Sequence, residues 1–93
     1  MNFIATKLQG CYCIEPKIFN DHRGYFMESF NEKTFYEKTG QQIHFVQDNQ
    51  SFSSKGVLRG LHYQVGEHAQ SKLIRVLSGE ILDIAVDIRP DSV

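Results

Sequence analysis

The feature that most limits the fold lies near the end of the chain, in Glu80 to Ile88. Leu82, Ile84, Val86 and Ile88 fall on one face of an extended backbone, with Asp83, Asp87 and Arg89 opposite. A period of two is the pattern of a strand that buries one face and wets the other. Ser71 to Leu77 alternates in the same way, and Ser78-Gly79 between the two runs reads as a short hairpin turn. Lys72 stands on the face of Ile74 and Val76. A lysine on an apolar face either snorkels to water or is held by a buried anion.

A third strand pattern occupies Gly56 to Gln64, GVLRGLHYQ. It puts a base (His62), a fixed cation (Arg59) and an amide (Gln64) into a short apolar run. On an ideal strand His62, Gly60 and Leu58 share one face, and Arg59, Leu61 and Tyr63 the other. A bulge at Gly60 would bring Arg59 and His62 to the same side of a cavity. An edge strand with a solvated Arg and His fits the composition equally simply.

The earlier part of the chain continues the strand theme. Met1 to Leu8 alternates loosely and reads as a strand at a sheet edge or shared with a partner. Cys11 to Glu15 is a second strand, stopped by Pro16. Asn20 to Gly24 carries turn chemistry. Tyr25 to Phe30 follows as a strand with Phe26, Glu28 and Phe30 on one face. A carboxylate between two phenylalanines needs a partner or a chemical role, unless the stripe faces water. Asn31 is an N-cap, Glu32 an acidic first-turn residue and Gly40 a stop, so Glu32 to Thr39 is the one helix the sequence predicts, held by Phe35. Gln42 to Phe52 is a further strand whose end carries Gln47, Asp48 and Asn49. Those three either line a polar pocket or mark a strand fraying into the loop Ser51 to Lys55. Gly66 to Gln70 is a loop, and Pro90-Asp91-Ser92 a turn. Many short strands, one helix and no alternation of strand with helix imply an all-β sandwich or barrel.

The bounds agree. Ninety-three residues make one small domain, residues 1–93, for which a second copy is a plausible support. Ten basic and eleven acidic residues exclude a strongly basic nucleic-acid binder, and 41% apolar residues mark a globular chain. No apolar run reaches membrane-spanning length, and the N-terminus lacks the pattern of a signal peptide, so the expected location is the cytosol. There Cys11 and Cys13 are expected to be reduced, half-buried strand residues; a bridge between residues two apart would be strained, and two thiolates fall short of a structural zinc site. The acceptor pattern Asn49-Gln50-Ser51 has no meaning in that compartment.

His62, Lys72, Arg23, Arg59, Glu28, Gln47 and Asn49 sit awkwardly on otherwise apolar elements. Cations in a small β cavity suit an anionic ligand, and planar guanidinium forks suit phosphate. A His beside a Lys suits proton abstraction next to a carbonyl, with the cation stabilising the enolate oxygen. From Gly56 the spacing resembles the first cupin motif: Gly56, His62, a second ligand position at Gln64, and Lys72 six residues before Gly79. An ammonium does not ligate a metal, so the fold signal stands while the metal signal fails. His68, in a loop, is the one substitute ligand to consider.

The blocks FNDHRGYFMESF, HFVQDNQSFSSKGVLRGLHYQ and QSKLIRVLSGEILDIAVDIR are together similar to the dTDP-4-dehydrorhamnose 3,5-epimerase family, from about Gly10 to Ser92. The resemblance implies a cupin-like jelly-roll barrel without metal or cofactor, a cytosolic homodimer, and a dTDP-sugar substrate epimerised at carbons 3 and 5. It implies His62 as proton acceptor and Lys72 as the contact to the 4-keto oxygen. It places Arg23, Phe26, Glu28, Gln47, Asp48, Asn49 and Arg59 around the sugar nucleotide, with Arg23 and Arg59 on the diphosphate. The family runs to roughly twice this length. Its proton-donating Tyr and the Asp that pairs with the catalytic His fall beyond Val93, and Tyr12, Tyr25, Tyr36 and Tyr63 do not match that donor. The expectation is therefore a partial jelly roll with one short helix, the N-terminal half of an epimerase. Two alternatives stand beside it: a 3,4-ketoisomerase or single-carbon epimerase on a related dTDP-sugar, and an inactive binding fragment.

Overall fold

The computed structural model describes residues 1–66 and 69–90. Strand β1 (Asn2–Ala5) pairs antiparallel with β2 (Tyr12–Glu15), in the register Asn2 to Glu15, Phe3 to Ile14, Ile4 to Cys13 and Ala5 to Tyr12. Burial alternates along the pair: Phe3, Tyr12 and Ile14 are half-buried while Ile4 and Cys13 are exposed. The connecting loop closes on itself through Thr6, whose N–H and hydroxyl both donate to the Cys11 carbonyl, at 3.1 and 2.9 Å. Both thiols are free; Cys11 is half-buried, but Cys13 faces water, against the expectation for a second inward cysteine.

A second hairpin follows. Strand β3 (Ile18–Asp21) pairs antiparallel with β4 (Gly24–Met27), from Ile18 to Met27 down to Asp21 to Gly24, leaving His22 and Arg23 as the turn. Two expectations are corrected. Ile18 to Asp21 is a strand, although Asn20 and Asp21 read as turn residues. β4 ends at Met27, so Glu28 and Phe30 leave the strand and no longer share a face with Phe26. Phe26 instead meets Phe19 across the hairpin, with ring centroids 6.5 Å apart.

Helix α1 (Glu32–Thr39) forms where the caps predict it. The Asn31 side-chain oxygen accepts from the Thr34 N–H at 3.0 Å, satisfying one of the orphan donors of the first turn. Gly40 closes the other end at φ 72°, and its N–H donates to the Tyr36 carbonyl at 2.8 Å. Phe35 is the hub of the packing. Its ring lies 5.9 Å from Phe3, 5.9 Å from Phe30 and 5.7 Å from Phe45, mostly edge-on. Phe30 and Phe45 meet at 5.3 Å. This cluster joins the first hairpin, the helix and the segment after it, the geometry in which aromatic edges meet ring faces. His44 and Glu32, 2.5 Å apart, add an exposed polar clasp beside it.

After Gly40 no described residue lies in a hydrogen-bonded strand. The strands expected at Gln42 to Phe52, Gly56 to Gln64, Ser71 to Leu77 and Glu80 to Ile88 are thus not formed. The expected hairpin turn at Ser78-Gly79 is a bend, and Gly60, at φ 116°, has no ladder from which to bulge. The physical reason is pairing. Alternation says which face of a strand wants burial, but a strand persists only when neighbours take its N–H and C=O groups. None of the described residues is buried, and the apolar face of Leu82, Ile84, Val86 and Ile88 is open, Leu82 at 86% exposure. One link returns to the N-terminal hairpin: Arg89, held by Asp87 at 2.6 Å, donates to the Gln9 carbonyl at 2.8 Å. The described architecture is two small antiparallel sheets with one helix, in keeping with the all-β class. Among the described residues no helix is long and apolar enough to cross a membrane.

Candidate functional site

Arg23 sits in the β3–β4 turn and is oriented by Asp21. One Asp21 oxygen accepts from the Arg23 backbone N–H at 2.8 Å and the other from its guanidinium at 2.7 Å. The guanidinium bond, followed by the backbone N–H, holds the Asp21 carboxyl below the usual carboxylate range. Both side chains are largely in water, so the pair fixes direction more than it adds stability. Phe26 lies on β4, exposed beside Phe19.

Glu28 follows β4 and accepts from the Asn31 side-chain amide at 3.3 Å. The same Asn31 caps α1 with its oxygen, so the helix N-terminus and the Glu28 carboxylate share one anchor. Gln47, Asp48 and Asn49 follow Phe45 as the chain leaves the aromatic cluster, and all three are exposed.

Arg59 is held by neutral acceptors. Its Nε donates to the Ser53 hydroxyl at 2.8 Å and its Nη2 to the Phe52 carbonyl at 3.3 Å. His62 folds back toward Gly60: its Nδ1 lies 3.8 Å from where a Cβ at Gly60 would stand. Lys72 and Gln64 are exposed and lie outside any helix or strand.

The candidates therefore occupy three stretches: the second hairpin with Glu28, the segment after Phe45, and the chain from Arg59 to Lys72. Among the described residues no hydrogen bond or ion pair joins any two of them. A surface depression lined by Glu32, Lys33, Tyr36 and Gln42 contains none of them. No three described His, Cys, Asp or Glu side chains converge as ligands would, and His68 lies outside the described residues, as do Asp91 and Ser92 of the expected final turn. Sequence reasoning missed Asp21, Asn31 and Ser53 as partners of the site. Asp21, two residues before Arg23 in a turn, carried a readable signal, because Asp side chains commonly bond the backbone two residues on. Ser53, six residues from Arg59 across a turn, carried none.

Guanidinium groups on a turn and a loop, a carboxylate, a row of amides and one imidazole make a set suited to a polar, anionic, carbonyl-bearing ligand. Comparison with known proteins gives the family independently of the site. Residues 5–93 match the family model of dTDP-4-dehydrorhamnose 3,5-epimerase, and the chain belongs to that family. It is 56% identical over 92 residues to the dTDP-4-dehydrorhamnose 3,5-epimerase of Shigella flexneri, covering 99% of this chain and 51% of that one. It is 54% identical over 93 residues to the enzyme of that name from Escherichia coli K12, covering all of this chain and 50% of the other. The chain thus spans about half the length of these curated relatives. A crystal structure of dTDP-4-dehydrorhamnose 3,5-epimerase from Elizabethkingia anophelis NUHP1 superposes with a TM-score of 0.71 at 61% identity, over 74% of this chain and 38% of the other.

Proposed function

We propose that residues 1–93 are the N-terminal half of an enzyme that epimerises carbons 3 and 5 of dTDP-4-dehydro-6-deoxyglucose, giving the precursor of dTDP-L-rhamnose. The family match across residues 5–93 carries this reading. His62 takes the proton from the carbon beside the 4-keto group, and the Lys72 ammonium stabilises the oxygen of the enolate that forms. Arg23 and Arg59 hold the diphosphate, and Phe26, Glu28, Gln47, Asp48 and Asn49 line the sugar nucleotide. No cofactor or metal takes part, because Gln64 and Lys72 stand where a metal-binding cupin places ligands. The complete fold is a cupin-type jelly roll, in which strands from the rest of the family's length pair with Gln42 to Phe52, Gly56 to Gln64 and the runs on either side of Ser78-Gly79. The assembly is a homodimer in the cytosol.

The exposure of His62 and Lys72, with no bond between them, favours a second statement about residues 1–93 taken alone: they bind nucleotide without turning it over. Expelling water strengthens the electrostatics that proton abstraction from carbon relies on, and neither His62 nor Lys72 is buried.

The test is His62→Ala in a family-length chain carrying residues 1–93. Turnover should fall by roughly three orders of magnitude or more while dTDP affinity stays within about twofold, the signature of a group acting only in the chemical step. Equal losses of binding and rate would remove His62 from the role of base.

A further inference from the structure

The two arginines assigned to the diphosphate are held in opposite electrostatic states. Arg23 is paired with a carboxylate, so part of its charge is already answered at 2.7 Å. Arg59 is fixed by a hydroxyl and a carbonyl, both neutral, on its Nε and Nη2. A guanidinium has five N–H donors in a rigid plane. Ser53 and Phe52 take two of them, from the edge formed by Nε and Nη2. The remaining donors, on the Nη1 side, point away from that edge with the full positive charge behind them.

We infer that Ser53 is a positioning residue for anion binding: its hydroxyl orients the Arg59 guanidinium, so that the free Nη1 side is presented, uncompensated, to the diphosphate of a nucleotide. Phe52 contributes through its backbone carbonyl alone, so its side chain is not part of the device. Fixing one edge matters because a free arginine loses rotamer entropy when a ligand immobilises it. An acceptor that holds the plane beforehand removes part of that loss without spending charge. A carboxylate at position 53 would hold the plane equally well and cancel the charge, as Asp21 does for Arg23.

This inference rests on the reading of Arg59 as a diphosphate contact, and the experiment separates the two. The whole 93-residue chain is titrated with dTDP and with thymidine, which lacks the diphosphate, by calorimetry. In parallel the ordering of the Arg59 Nε–H is followed by nitrogen NMR without ligand. Ser53→Ala should loosen the Arg59 Nε–H and weaken dTDP by about 3- to 10-fold, with thymidine unchanged. Ser53→Thr, which keeps the hydroxyl, should restore both. Ser53→Asp should keep Nε–H ordered yet weaken dTDP at least as much as Ser53→Ala. In a double-mutant cycle, Ser53→Ala should add nothing to Arg59→Ala. An Nε–H as ordered in Ser53→Ala as in the unmodified chain overturns the inference, and so does full additivity with Arg59→Ala. Failure of the unmodified chain to bind dTDP, with Ser53 still ordering Arg59, instead sinks the nucleotide reading and leaves the hydroxyl–guanidinium link supported.

Discussion

Phe35→Ala is the substitution most informative about how this chain holds together. Phe35 projects from α1 into three ring contacts, with Phe3, Phe30 and Phe45 at 5.9, 5.9 and 5.7 Å. Each such contact contributes about 0.5–1.5 kcal/mol beyond area burial. Full truncation of a buried phenylalanine costs about 3–5 kcal/mol, and Phe35 is only half-buried. A loss of about 2–3 kcal/mol follows, set against the few kcal/mol that stabilise a domain of this size. Because the Phe35 ring meets both Phe3 on β1 and Phe45 beyond the helix, the loss should spread. Hydrogen exchange at Gly40, whose N–H closes the helix on Tyr36, should accelerate by roughly 30- to 150-fold, since 1.4 kcal/mol is about a tenfold change. Exchange of the β1–β2 ladder should accelerate with it. Tyr36→Ala is the control: Tyr36 is 52% exposed and outside the ring cluster, so its cost should stay below about 1 kcal/mol. Equal effects of the two substitutions, or acceleration confined to α1, would refute the view that the ring cluster couples the first hairpin to the helix.

Asn31→Ala should destabilise the helix by about 1 kcal/mol and speed exchange of the Thr34 amide, whereas Asn31→Asp, which keeps the cap but loses the donor to Glu28, should cost less, as read by amide exchange. The Asp21 carboxyl should titrate below the ordinary carboxylate range by carbon NMR and return toward it in Arg23→Ala. Because its folded pKa is depressed, whatever the Asp21–Arg23 contact adds to folding is present above the ordinary carboxylate pKa and lost as pH falls through the folded one. Hairpin-turn ordering, followed by the Arg23 amide shift, should therefore be constant near neutral pH and decay only in strong acid; decay near neutrality would contradict the assignment.

Local chemistry was legible in the sequence and non-local pairing was not. Asn31 and Gly40 mark the helix ends because a cap is decided within four residues. The two strands β1 and β2 were legible one by one from their alternation and from Pro16, whereas their pairing with each other across a short loop was not. β3 was missed because Asn20 and Asp21 are weak strand formers, stabilised here by a two-residue turn to β4. The runs around Gly60 and Ser78-Gly79 carry strand patterns, but alternation names only the face that wants burial and not the neighbour that takes the backbone groups, and among the described residues they are unpaired and open. The candidate site followed the same division. His62 and Lys72 stood out because each is a polar group in an apolar run, and Arg23 with Asp21 is a local turn. The link between Arg59 and Ser53 depends on how the loop folds back, and no spacing rule reveals it.

If His62 is the base of an epimerase and the rest of the family's length supplies the proton donor, the two roles fall on different halves of the enzyme. Inversion needs a base on one face of the carbon and a donor on the other. The direct measurement is proton NMR of dTDP-4-dehydro-6-deoxyglucose in deuterated water. One sample contains the 93-residue chain alone, and the other contains residues 1–93 joined to the second half of the Escherichia coli relative. The joined chain should give deuterium at carbons 3 and 5 with inversion at both, and the chain alone at most exchange without inversion. Inversion at both carbons by the 93 residues alone, at a rate near that of the joined chain, would contradict it.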